Sequence, residues 1–82
     1  MLAVDTNLLV YAHRAASAFH AAGDRVIQEL AEGGGAWGIP WPCVYEFFAI
    51  VTHPRIFRPP TPLEHALEQV DAWLESPTVA LL

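Results

Sequence analysis

Short apolar runs alternate with longer segments of helical periodicity along this chain. The first run, residues 2–4, stops at Asp5. An apolar run this short, followed directly by a helix-like segment, is typical of the first strand of a parallel sheet. Residues 36–40 predict a second strand, which Gly38 weakens, and residues 78–82 predict a third. The pattern therefore predicts three strands with helical segments between them.

Two helices are predicted between the first and second strands. The shorter covers residues 8–13, with Thr6 or Asn7 near its cap. The longer begins at Ser17 as N-cap and reaches about residue 31, where the glycines 33–35 end it. A Gly-rich phosphate loop would follow a strand, whereas these glycines precede one, so they indicate a helix terminator.

Two further helices are predicted between the second and third strands. Pro42 suits the first turn of one, which meets no breaker before His53. Thr61 as cap, followed by Pro62, begins the other. The apolar stripes predicted for the second and fourth helices comprise Phe19, Ala22, Val26, Ile27, Leu30, Leu63, Ala66, Leu67, Val70, Trp73 and Leu74. This alternation predicts an α/β fold: a parallel sheet with right-handed crossovers, in one domain.

Composition narrows the possible functions. With 54% hydrophobic residues the chain is too apolar to be a disordered tail, and so small a domain should keep an apolar face that requires a partner. The net charge of −5, with four arginines and no lysine, excludes general nucleic-acid binding through phosphate contacts alone. The single Cys43 fits a reducing compartment. Neither a membrane span nor a signal peptide is indicated, so we expect a cytoplasmic protein without membrane contact.

Two carboxylates carry the candidate chemistry. Asp5 is expected at the carboxyl end of the first strand, on the edge where open α/β folds bind ligands. Glu46 lies within the apolar residues 44–51, where a charge is costly unless it is paired, bound to a metal or turned to water. Asp5 could equally be a helix cap and Glu46 a solvent-facing residue. Hard cations such as Mg²⁺ take one or two carboxylates plus waters and phosphates.

The other polar and aromatic residues can be explained without a functional role. Thr6 and Asn7 could support Asp5 or contact a phosphate, or merely cap the turn. Arg55 and Arg58 flank two apolar residues in a loop, a pattern compatible with RNA, with a partner protein or with plain solvation. The four histidines lack zinc-like spacing. Cys43 and the three tryptophans are expected to be packing residues.

Three segments in register resemble toxins of the VapC type, which are built on a PIN domain. Residues 3–14 resemble the opening of that family, residues 38–47 and 51–57 its central helix and following loop, and residues 66–82 its next helix and strand. The resemblance implies a PIN-like, Rossmann-like parallel sheet with about three strands and four helices, and residues 1–82 would form a single partial domain. The C-terminal acidic residues and strands of the family have no counterpart here.

The resemblance also implies an activity: the toxin half of a type II toxin–antitoxin pair, a Mg²⁺- or Mn²⁺-dependent endoribonuclease. Asp5 and Glu46 match two acidic metal ligands of the family, and Thr6 matches its small hydroxyl position. A cognate antitoxin, an RNA substrate and a homodimer are the expected partners. Because further acids are missing, we expect the 82-residue chain to be inactive or nearly so and to aggregate.

Two alternatives remain open. The chain could be an inactive PIN remnant that binds an antitoxin through apolar helices. It could also be a fragment of an unrelated flavodoxin-like or nucleotide-binding α/β protein, an alternative that rests on fold class alone. Metal-dependent RNA cleavage that is sensitive to substitution of Asp5 would distinguish the ribonuclease from both.

Overall fold

Three short strands pair in parallel in the structure, a computed structural model that describes residues 1–82. Strand β1 covers Leu2–Ala3, β2 covers Trp37–Ile39 and β3 covers Val79–Leu81. The order in the sheet is β1-β2-β3, and both pairings are parallel. The predicted α/β fold on a parallel sheet is therefore confirmed, and the segment predicted to be weakened by Gly38 is the middle strand.

Four helices accompany the sheet, as predicted. Helix α1 covers Thr6–His13, α2 covers His20–Glu32, α3 covers Trp41–Val51 and α4 covers Leu63–Leu74. None of them has both the length and the apolarity that crossing a bilayer requires. Helix α1 packs on α2 and on α3, and α3 also contacts α4.

The core is organised around β2 and α3. Trp37, Ile39 and Phe47 are completely buried. The ring of Phe47 stands edge-on to those of His13 and Trp73, with centroid distances of 5.3 and 5.1 Å. Burying a large apolar side chain contributes about 1.5–3 kcal/mol, so Phe47 is a principal contact by which α3 is fixed to α1 and α4.

The caps of the first two helices differ from the prediction. Helix α1 begins at Thr6 and is capped by Asp5, one residue before the predicted Thr6 or Asn7. Helix α2 begins at His20, not after Ser17. The Ser17 hydroxyl accepts a hydrogen bond from the Phe19 N–H at 3.1 Å. Ser17 therefore stabilises a turn before the helix, which is the local competition that serine side chains offer to helix starts.

The predicted Thr61 cap is wrong. Helix α4 begins at Leu63 without any side-chain cap bond. Thr61 is buried, and its hydroxyl instead contacts His13 and Arg14 at the end of α1. The Thr61 hydroxyl thus bonds to residues distant in sequence instead of to a backbone N–H of α4. The sequence pattern at the helix start gives no sign of these distant partners.

Several residues predicted to be packed are exposed. Of the two apolar stripes, Ile27, Ala66, Val70 and Trp73 are buried. Helices α2 and α4 therefore contact their neighbours through a narrower face than the pattern predicts. Trp41 of α3, which was also predicted to pack, is 61% exposed. The stripe residues left largely outside are Phe19, Ala22, Val26, Leu63 and Leu67.

Candidate functional site

Asp5 lies two residues after the end of β1 and caps α1. Its Oδ1 accepts a hydrogen bond from the backbone N–H of Leu8 at 2.9 Å, and the residue is exposed. A carboxylate is favoured here because it satisfies an N–H that has no acceptor within the helix and because it faces the positive end of the helix dipole. The cap explanation for Asp5 is therefore confirmed. This bond uses only one of the two carboxylate oxygens.

Backbone pairing places Asp5 at the carboxyl edge of the sheet. The N–H of Val4 still donates to the carbonyl of Gly38 at 3.0 Å, so β1 remains paired with β2 up to the residue before Asp5. Helix α3 begins at Trp41, just after β2 ends. Because the carboxyl ends of parallel strands share an edge, Asp5 and the start of α3 lie on the same side of the sheet.

Glu46 is the sixth residue of α3 and is exposed. Its neighbour Phe47 is buried against His13 of α1, whereas Tyr45 is 70% exposed. The Glu46 carboxylate is therefore turned to water. Exposure to water avoids the free-energy cost of placing a charge in apolar surroundings. The structure brings together the two helices that carry the candidate acids. It shows no group of three or more His, Cys, Asp or Glu side chains that could hold a metal ion.

An open groove of about 500 Å³ surrounds Asp5 and includes Asn7, Leu8 and Tyr11 among its lining residues. Asn7 is exposed beside Asp5, so its amide can reach a ligand in this groove. Thr6, the first residue of α1, is half-buried and does not line the groove. Asp5 receives its hydrogen bond from the main chain at Leu8 and not from either of these side chains.

The loop after α3 carries the two predicted arginines, and both are exposed. The backbone N–H of Arg55 donates to Nδ1 of His53 at 3.1 Å. Arg58 lines a second groove of about 350 Å³ between this loop and the end of α1, which we name the arginine groove; Arg55 does not line it. Besides Arg58, its lining includes Tyr11, Arg14, Ser17, Ile56 and Phe57.

The sequence did not predict a partly buried hydrogen-bond network at the end of α1. Arg14 donates to the hydroxyl of Thr61 at 3.1 Å and to the carbonyl of Pro59 at 3.1 Å. Its guanidinium also lies 4.4 Å from the centre of the Phe57 ring. The only sequence signal was the position of a basic pair at the end of a predicted helix, where cations are favoured. This network fixes one wall of the arginine groove.

Comparison with known proteins gives a consistent relationship. The chain is 39% identical over all 82 residues to VapC ribonuclease Mb2897 of Mycobacterium bovis and covers 56% of that protein. It is 32% identical over 82 residues to Ribonuclease VapC37 of Mycobacterium tuberculosis, covering 57% of it. Ribonuclease VapC48 of the same species is 29% identical over 75 residues. No protein-family model matches.

The resemblance found in the sequence is thus confirmed, and these relatives imply a PIN-like fold. The chain spans about half the length of the curated relatives it matches.

Proposed function

Because the whole chain is similar to VapC ribonucleases, we propose that it carries part of the active site of a metal-dependent endoribonuclease, the toxin of a type II toxin–antitoxin pair. The observation that supports this most directly is the position of Asp5, a solvent-exposed carboxylate at the carboxyl edge of a parallel sheet. Ligands of open α/β folds bind at this edge.

The donor atoms fit a hard divalent cation. Asp5 and Glu46 offer carboxylate oxygens that face water, and Mg²⁺ takes one or two such ligands together with waters and substrate phosphates. If these carboxylates hold Mg²⁺ or Mn²⁺, the ion would supply an acidified water molecule and offset the charge of the RNA phosphate. The cation also explains how a chain of net charge −5 approaches RNA.

The protein's own residues prepare this site. The Leu8 N–H holds one oxygen of Asp5, so the carboxylate is oriented before a ligand arrives. Glu46 is carried by a helix that Phe47 fixes against α1. Asn7, which lines the groove beside Asp5, would donate from its amide to a phosphate or a bound water.

The 82-residue chain itself is expected to cleave RNA weakly or not at all. Two carboxylates without a third acidic neighbour bind Mg²⁺ loosely and leave the attacking water poorly oriented. Metal binding is therefore a sharper test of the site than turnover.

The metal test uses Mn²⁺ as a paramagnetic probe in NMR spectra of the chain. Substoichiometric Mn²⁺ is expected to broaden the amide signals around both Asp5 and Glu46 at the same concentration, and Asp5→Asn is expected to remove both effects. Glu68→Gln, which changes an exposed acid on α4, is the control and should leave the broadening intact. Independent broadening of the two regions, or none, would contradict a shared site.

The activity test uses an end-labelled single-stranded RNA with Mn²⁺, with and without EDTA. Any cleavage is expected to stop with EDTA, with Asp5→Asn and with Glu46→Gln, and to persist with Glu68→Gln. Cleavage that survives EDTA or the Asp5 substitution would show a contaminating or metal-free nuclease and would contradict the proposal.

A second candidate function is an antitoxin-binding module without catalysis. Trp41 and Tyr45 are exposed on α3, and an apolar depression of about 260 Å³ lies between them, Phe48 and Leu81. The apolar face of an amphipathic antitoxin helix fits such a surface. Tight binding of the antitoxin by a chain that neither cleaves RNA nor binds Mn²⁺ would favour this module over the enzyme. A homodimer through the same face would appear as a doubled mass in solution.

A further inference from the structure

The arginine groove differs in charge from the rest of the molecule. Two of the four arginines of the chain, Arg14 and Arg58, line it. None of the nine acidic residues does so. In a protein of net charge −5, this groove is therefore a local positive region that can receive an anion.

The two arginines have different tasks. Arg14 is held from three directions, by Thr61, by the carbonyl of Pro59 and by the face of Phe57. It shapes the wall and contributes a fixed charge. Arg58 is exposed on the loop, so its guanidinium can turn towards a ligand. Ile56, which is 53% exposed, and Phe57 add apolar surface beside this charge.

The arginine groove adjoins the groove around Asp5. Tyr11 lines both the arginine groove and the groove around Asp5. A ligand that occupies both must carry an anion for Arg58, a flat apolar part for the Tyr11 and Ile56 surface, and a group that reacts at Asp5. A single-stranded polynucleotide has all three at regular spacing. A protein segment would need an acidic side chain at Arg58, and it offers no group that reacts at Asp5.

We propose that the arginine groove binds a nucleotide of single-stranded RNA next to the cleaved bond, its phosphate on Arg58 and its base against Tyr11 and Ile56. This rests on the proposed function for the identity of the ligand, but its binding is independent of the metal. Arg58 is thus assigned a role in binding and Arg55, three residues earlier in the same loop, is not.

The test compares Arg58→Gln with Arg55→Gln, because both remove one exposed positive charge from the same loop. Binding of a short fluorescent single-stranded RNA is measured by anisotropy in EDTA, over a series of salt concentrations. Arg58→Gln is expected to raise the Kd roughly fivefold and to reduce the slope of log K against log salt by about 0.7. Arg55→Gln is expected to change the Kd by less than about twofold.

If the two substitutions weaken RNA binding equally, or if neither changes it, the proposal that the arginine groove binds RNA through Arg58 is wrong. Weaker binding of an antitoxin peptide by Arg58→Gln, with RNA binding intact, would assign the groove to a protein instead and would equally overturn it. Failure of the proposed function looks different: Mn²⁺ binding at Asp5 would be absent while the Arg58-dependent RNA binding persists. Circular dichroism of both variants shows that each is folded.

Discussion

The hydroxyl of Thr61 lies 3.0 Å from Nε2 of His13, although 48 residues separate them in sequence. Nδ1 of the same ring is 3.1 Å from Oε1 of Gln69 on α4. These contacts are all satisfied when the His13 ring carries its hydrogen on Nδ1. In that tautomer His13 donates to Gln69 and Thr61 donates to His13, while Arg14 donates to Thr61. The network joins α4 and the arginine-bearing loop to α1, the helix that Asp5 caps.

Thr61→Val is expected to lower the free energy of unfolding by about 1–3 kcal/mol, because the near-isosteric side chain leaves the partly buried His13 Nε2 and Arg14 guanidinium without their shared hydrogen-bond partner. Urea unfolding followed by circular dichroism measures this. The matched control is Thr6→Val, which changes a half-buried threonine at the other end of α1 that has no part in this network. Equal losses for the two variants would show that the network contributes no more than an ordinary hydroxyl.

Ser76 forms a second, partly buried hydrogen-bond network. Its hydroxyl accepts a hydrogen bond from the indole N–H of Trp37 at 3.2 Å and donates to the carbonyl of Ala31 at 3.3 Å. Trp37 is completely buried, so Ser76→Ala is expected to cost about 1–3 kcal/mol of stability by leaving that N–H without an acceptor.

Ser17→Ala is the control for Ser76, because the Ser17 hydroxyl accepts its hydrogen bond from the Phe19 N–H in an exposed turn. Its cost is expected to stay within about 0.5 kcal/mol. Thermal unfolding monitored by tryptophan fluorescence compares the two. A Ser76 variant as stable as the Ser17 variant would contradict the importance of the indole hydrogen bond.

The side chain of Leu82 lies over Gly38 in the middle strand. An alanine Cβ at Gly38 would lie 2.6 Å from Cδ1 and 2.9 Å from Cγ of Leu82. Leu82 is 48% exposed and can move, so Gly38→Ala is expected to cost only about 1 kcal/mol. In a Leu82→Ala background this cost should disappear, which a double-mutant cycle of unfolding free energies measures.

Gly34→Ala is the control for Gly38, since a Cβ there meets nothing within 4 Å. Its effect is expected to lie within about 0.5 kcal/mol. If Gly38→Ala costs the same with and without the Leu82 side chain, the clash is with the backbone of the sheet and this explanation is wrong.

Element order was accessible from sequence because strand and helix periodicities differ over runs of this length. The residues that cap the helices were harder to predict from the sequence. The partners of Thr61 lie on α1, and a hydroxyl that can bond across the molecule leaves no local sign of doing so. The packing of Leu82 over Gly38 was equally inaccessible, because it is a tertiary contact.

The candidate acids show a different limit. Apolar neighbours suggested that Glu46 lies in apolar surroundings, yet Tyr45 and Ala49 are themselves exposed and Glu46 faces water. In a chain that leaves apolar residues at its surface, hydrophobic identity no longer predicts burial. Asp5 was correctly placed at the strand end, because both of its candidate roles require that position.

The two roles of Asp5 can be separated by choice of substitution. Asparagine caps helices about as well as aspartate, whereas alanine does not, so Asp5→Ala is expected to cost about 1 kcal/mol of stability and Asp5→Asn only a few tenths. Both should abolish Mn²⁺ broadening, because neither retains the carboxylate. Unfolding in urea and NMR titration with Mn²⁺ of the same two proteins measure the two effects. If Asp5→Asn still binds the ion, the carboxylate is a cap and nothing more; if the two variants are equally stable, the hydrogen bond to Leu8 does not hold the helix start.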